Sequence, residues 1–146
     1  MLATLKEIFE RDLQKLKEEI QLYKTEALLW EVKSEINNSG GNLALHICGN
    51  LKHFIGAVLG NSGFTRDRDA EFTDKNVSRT ELYTLIDETS AVVIATLNNM
   101  DDKELARRFP IDVLRENMST EFFLTHLATH LNYHLGQLTY HRRLIS

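Results

Sequence analysis

Six histidines carry most of the chemistry this chain could perform, and they fall in two groups. His46 and His53 lie seven positions apart; His126, His130, His134 and His141 follow near the end. At roughly 100° per residue, seven helical positions return to within about 20° of the start, so the first pair shares a face. The same arithmetic confines the second group to an arc of about 80°. His130 and His134 are one helical turn apart, so both imidazoles can reach one ion. One further nitrogen from a facing helix would complete a three-histidine set, a common way for helical bundles to hold a metal. A lone His-x-x-x-His pair is a weak signal, and histidines also occupy hydrogen-bonded core positions. Four imidazoles on one core face are nonetheless costly unless each finds a partner.

Such a set leaves at least one open position on a divalent transition metal, the feature of a catalytic rather than a structural site. Zinc or nickel suits imidazole ligands; Cu(I) lacks thiolates here, and Mg²⁺ and Ca²⁺ prefer oxygen. The open position could lower the pKa of a bound water towards about 7, or hold a low-molecular-weight thiol as thiolate. No His-Glu-x-x-His arrangement supplies the general base of a protease-like hydrolase. Cys48 is turned about 200° from His46 and reads as a buried structural residue rather than the protein's own nucleophile.

Other residues could line a pocket beside the metal. Asn50 and His53 lie about one and two turns beyond His46, and Gln137 lies one turn past His134. Each could touch substrate or orient a ligand, or simply form a buried polar pair. His126 shares the arc of the ligand pair. Arg66 and Arg68 could cover the mouth of the site and recruit an anion, or be paired within their own loop.

Amphipathic helices must position these residues. Leu2, Leu5, Phe9, Leu13, Leu16, Ile20 and Tyr23 form one apolar face of a first helix. Thr25–Trp30 extends it or makes a separate turn, and Asn37-Asn38-Ser39-Gly40-Gly41-Asn42 breaks it. A second helix is expected from about Asn42 to Leu59, stopped by Gly60-Asn61-Ser62-Gly63. Phe64–Val77 is too polar for a core element. Ser78-Arg79-Thr80-Glu81 reads as a capping box opening a third helix that runs to about Asn98. Its core candidates are Leu82, Leu85, Ile86, Val92, Val93 and Leu97. Pro110 disfavours a continuous helix in Met100–Met118, and Phe109–Leu114 is expected to be extended, in a short hairpin. Ser119 or Thr120 then caps a fourth helix to about Leu144. The expected fold is all-α, a four-helix bundle in a single domain spanning 1–146.

Bulk properties narrow the function. The chain has 146 residues, 42% of them hydrophobic, and a net charge of −4, so it can bury a core and lacks the basic surplus of a nucleic-acid binder. No apolar run approaches the ~18–20 residues of a membrane span. The first residues lack the pattern of a secretory signal, and one cysteine excludes an internal disulfide framework; the expected location is the cytoplasm.

The segment Gly41-Asn42-Leu43-Ala44-Leu45-His46-Ile47-Cys48-Gly49-Asn50-Leu51 resembles the second-helix signature of the DinB-like superfamily. His130-Leu131-Asn132-Tyr133-His134-Leu135-Gly136-Gln137 is similar to its fourth-helix His-x-x-x-His-x-Gly-Gln motif. Arg66-Asp67-Arg68-Asp69-Ala70-Glu71-Phe72 resembles a branch of uncharacterised members. The resemblance implies a bundle of rearranged, non-ferritin topology, a homodimer, and a metal held by His46, His130 and His134. It also implies a thiol-dependent transferase using a low-molecular-weight thiol and a small-molecule electrophile. The alternatives are a metal-dependent hydrolase using bound hydroxide, and a non-catalytic metal-binding or dimerising protein associated with stress. His53, His126 and His141 lie outside the shared motifs.

Overall fold

The computed structural model describes residues 1–145. Its elements in chain order are α1 (Leu2–Leu22), α2 (Gly40–Leu51), α3 (Arg68–Thr73), α4 (Arg79–Asn98) and α5 (Thr120–Ile145). Short 3₁₀ turns at Ala27–Trp30 and Asp102–Ala106 punctuate the connections, and α2 continues into a π-helical stretch over Lys52–Leu59. The described residues are thus helical and contain no strand. The expected hairpin before α5 contracts to one antiparallel bridge between Arg108 and Ser119. Two hydrogen bonds frame it, Phe109 N to Met118 O at 2.7 Å and Thr120 N to Arg107 O at 2.8 Å. Pro110 has no N–H to offer a longer ladder.

The apolar face of the first helix behaves as its spacing requires: Leu2, Leu5, Phe9, Leu13, Leu16, Ile20 and Tyr23 are all buried. In α4, Leu82, Ile86, Val93 and Leu97 are buried, whereas Leu85 and Val92 are half-buried at the edge of the same core. α1 and α2 each pack against both α4 and α5, and so lie across the bundle from each other. Side-chain pairs give the directions. Lys6 meets Asn98 and Lys17 meets Asp87, so α1 and α4 are antiparallel. Asn132 meets Asp12 and Arg142 meets Glu19, so α5 runs parallel to α1. α2 runs antiparallel to α5, bringing His46 beside His130 and Phe54 beside Phe123. Two neighbouring helices on this diagonal plan bring the two histidine groups face to face.

Three local features depart from the sequence expectation. First, Gly40 and Gly41 do not break the chain but form the first turn of α2, capped by the Ser39 hydroxyl at 3.1 Å from Asn42 N. They are small because large rings lie against them: a Cβ on Gly41 would stand 2.6 Å from the Trp30 ring, and one on Gly40 would strike Tyr23. Second, the α-geometry of α2 ends at Leu51, and the remainder to Leu59 is π-helical, a wider winding often found near functional sites. Third, the polar segment after α2 does contribute to the interior, because α3 forms within it and buries Glu71.

α3 is fastened to α2 by one side chain. The Asn42 amide donates to Glu71 O at 2.9 Å and to Asp74 O at 2.8 Å, while its oxygen accepts from Lys75 and Ser39. A helix of six residues is too short to be stable alone, so these bonds and the burial of Glu71 hold it in place. The capping box of α4 forms as its sequence indicates, with Ser78 Oγ accepting from Glu81 N at 3.1 Å and Glu81 Oε2 accepting from Ser78 N at 3.0 Å. Replacing Ser78 by Ala removes half of this arrangement. The expected cost is about 1 kcal/mol, read as a fall of roughly 3 °C in Tm by calorimetry.

Candidate metal centre

Three ring nitrogens converge where α2 crosses α5. His46 Nε2 lies 3.3 Å from His130 Nε2, and His134 Nε2 lies 3.1 Å from the same atom. The three residues place one ligand atom each within 4.8 Å of one another. Metal–nitrogen bonds of about 2.0–2.1 Å in tetrahedral geometry set neighbouring nitrogens about 3.3 Å apart. The observed separations match that spacing. His46 is buried, and His130 and His134 are half-buried, so the centre is open on one side.

The outer nitrogens determine what the inner ones can do. His46 Nδ1 lies 3.0 Å from Glu71 Oε1. An ionised carboxylate only accepts, so Nδ1 carries the proton and Nε2 presents a lone pair. His134 Nδ1 lies 2.7 Å from Gln137 Oε1, which leaves its Nε2 bare by the same reasoning. At most one proton, on His130, is left for a contact among three nitrogens. A cation that takes all three lone pairs resolves the repulsion, and the carboxylate–histidine arrangement is a frequent partner of such ions.

Glu71 is itself held on both oxygens. Arg66 Nε donates to Oε2 at 2.8 Å and Arg66 Nη2 to Oε1 at 2.9 Å. Burial works to raise the Glu71 pKa, but hydrogen bonds from His46 and Arg66, together with their charge, outweigh it and hold it below the ordinary carboxylate range. Gly49 makes room, since a Cβ there would overlap the carboxylate. Arg66 is therefore neither a free loop cation nor an available anion receptor; it is committed to Glu71. Arg68 sits over the Phe72 ring, 5.4 Å from its centroid, and Phe72 packs against His46 at 4.9 Å.

Glu71 is the residue of the candidate centre that histidine spacing did not reveal. The available signal was a single carboxylate between Ala70 and Phe72 on an otherwise charged stretch, and it acquires meaning only with Gly49 and His46 beside it. The remaining candidates scatter around the centre. Gln137 orients His134. Asn50 is buried, yet its Oδ1 has no protein partner; His53 Nδ1 is likewise buried and unpartnered, so the two do not satisfy each other. Burial, reinforced by Arg66, lowers the His53 pKa. His126 stacks on Phe123 and stands 6.2 Å, ring to ring, from His130, outside the three-nitrogen cluster. His141 is a core histidine: its Nε2 donates to Glu31 O at 2.8 Å and its Nδ1 accepts from the Tyr23 hydroxyl at 2.6 Å. Cys48 is free and buried, and burial pushes its thiol up to about 12, which keeps it protonated and inert.

Residues 1–146, the whole chain, match the family described as "Protein of unknown function (DUF1572)". The chain belongs to that family. No curated protein matches it. Among solved structures, this DUF1572 chain is similar to one described as the crystal structure of the conserved protein of a locus from Enterococcus faecalis. The TM-score is 0.74 at 17% identity, covering 99% of this chain and 96% of that one. A likeness at that identity establishes a shared fold. No helix of this DUF1572 member, among its described residues, is long and apolar enough to cross a membrane.

Burial, and then the charges of His134, His46, His126 and Arg66, lower the His130 pKa to about 4. Burial likewise lowers that of His134, against the hydrogen bond it donates to Gln137. Between about 6.5, the ordinary histidine value, and about 4, the unfolded chain binds a proton at residue 130 that the folded chain does not. Metal-free protein should therefore lose stability as pH falls through this window, and lose more below it as the depressed Glu71 is protonated. Urea midpoints measured from pH 7.5 to 4 should show the decline, flattened in His130→Ala. Glu71→Gln, which removes the charge that orients His46, should weaken metal binding about 10- to 100-fold in chelator competition. Gly49→Ala should act in the same direction by displacing that carboxylate.

Proposed function

We infer that this chain is a metal-dependent enzyme in which His46, His130 and His134 hold zinc or nickel and a low-molecular-weight thiol is transferred to a small electrophile. The observation that carries the metal assignment is the set of three converging nitrogens whose outer partners, Glu71 and Gln137, leave the inner lone pairs free. The resemblance of the His46 and His130–Gln137 segments to DinB-like proteins supports the reaction class. The ion, when bound, supplies a Lewis-acid position that keeps a thiol ionised at neutral pH.

The protein's own residues set the conditions for that chemistry. His46 is held in one tautomer by Glu71, and the Arg66 guanidinium keeps Glu71 ionised. His130 stays uncharged at neutral pH, because burial holds its pKa far below the ordinary value. The half-buried side, at His130 and His134, is where a substrate can approach. Cys48 faces a buried environment and offers no thiolate, so the nucleophile comes from outside the chain.

Thiol transfer is favoured over hydrolysis by one feature of the site. The carboxylate nearest the histidines, Glu71, has both oxygens occupied by Arg66 and His46. It is a positioning group, and a water to be deprotonated would find no free base there. Zinc- and nickel-loaded protein should accelerate loss of free thiol in the presence of an activated halide or epoxide. The rate should fall at least 100-fold in His134→Ala and require added thiol. Turnover of an ester or amide without any thiol would instead assign the site to hydrolysis.

A further inference from the structure

A second feature lies outside the histidine cluster. The C-terminal part of α5 and the chain between α1 and α2 enclose a cavity of about 360 Å³, within the usual size of small-molecule pockets, roughly 300–1,000 Å³. Ile36 and Leu43 give it an apolar wall. Its polar lining comes from Glu35, Asn37 and Asn38 on the connecting chain and from Gln137, Tyr140 and His141 on α5, the last already bonded through both ring nitrogens.

Among the described residues, Asn37, Asn38 and Tyr140 form no side-chain hydrogen bond within the protein, and Gln137 keeps unused donors. An Asn-Asn pair just before a helix is suited to capping it, yet Ser39 is the cap of α2. Gln137 uses its carbonyl oxygen on His134, so its two amide donors are without a protein partner. Tyr140 leaves 65% of its surface exposed, with the Arg143 guanidinium over its ring at 5.9 Å from the centroid.

The charge of the lining narrows the ligand. Glu35 is its one acidic member, and no lysine or arginine lines the cavity. A phosphate or carboxylate would meet the Glu35 carboxylate with no cation in the lining itself to offset it. Amide side chains each offer a donor and an acceptor, which matches hydroxyl and amide groups. An exposed tyrosine ring beside them suits the flat face of a ring.

We propose that this cavity is a binding site for an uncharged, ring-sized molecule bearing hydroxyl or amide groups, with Tyr140 as its platform and Asn37, Asn38 and Gln137 as its hydrogen-bonding groups. The site stands independently of the metal assignment. Its occupant nonetheless lies one side chain from the histidine centre, because Gln137 contacts both the cavity and His134.

The test is a heteronuclear NMR titration of the full chain, with and without zinc. N-acetylglucosamine serves as a polyol probe and uracil as a heterocycle probe, with phosphate and acetate as anionic controls. One of the two neutral probes should cause saturable shifts at the Asn37, Asn38 and Gln137 side-chain amides, and which one does so separates the two sources of the same chemistry. The double substitution Asn37→Ala, Asn38→Ala, at positions outside the buried core, should weaken that binding at least tenfold and leave the remaining spectrum folded. Asn38→Trp, which fills the opening, should abolish it. Absence of shifts with both neutral probes, preferential binding of phosphate or acetate, or shifts that persist in the double variant would overturn the proposal.

Discussion

Glu71 reaches within 3.0 Å of His46 Nδ1 because residue 49 has no side chain and because Arg66 accompanies the carboxylate into the interior. The architecture around the site follows from that contact. A buried charge must be paired and hydrogen-bonded, so α3 has to dock with both Arg66 and Glu71 in place. Docking is secured from the other end by Asn42, which holds two carbonyls at the close of α3. The proton then sits on the outer nitrogen of His46, and the inner lone pair points at His130. On the opposite wall Gln137 does the same for His134. The site is therefore a set of orientations fixed from outside rather than three histidines that happen to be close.

The bundle contributes by its diagonal plan. With α1 and α2 across from each other, α2 and α5 become antiparallel neighbours, and the two histidine groups meet at one level. Two turns further along α5, past His130 and His134, His141 meets a different environment. It is satisfied by Tyr23 and a backbone carbonyl and takes no part in the centre. Residue type alone does not separate these fates. What separates them is which side chain of the facing helix stands opposite.

Periodicity read from the chain located the helices well, since burying one face of each segment is what makes it helical. The seven apolar positions of α1 and the capping box of α4 illustrate this. Spacing also brought His130 and His134 together, and resemblance added His46. Three features were beyond its reach. The π-helical winding after Leu51 has no signature in a pattern built on 3.6 residues per turn. Gly40 and Gly41 look like a breaker until Trp30 and Tyr23 are seen against them. Glu71 sits in a charged stretch that reads as surface, and its burial depends on a glycine 22 positions earlier. The last two are long-range steric and electrostatic fits, and local pattern carries no record of them.

The central claim is that His46, His130 and His134 bind one divalent transition metal. It is tested most directly by mass-spectrometric metal analysis of untagged protein, wild type beside His130→Ala. Near one equivalent of zinc or nickel in the wild type, lost in a variant that remains folded by circular dichroism, is the predicted result. A wild type that folds without metal and takes up none on dialysis against zinc would contradict the account and leave the three imidazoles as core packing.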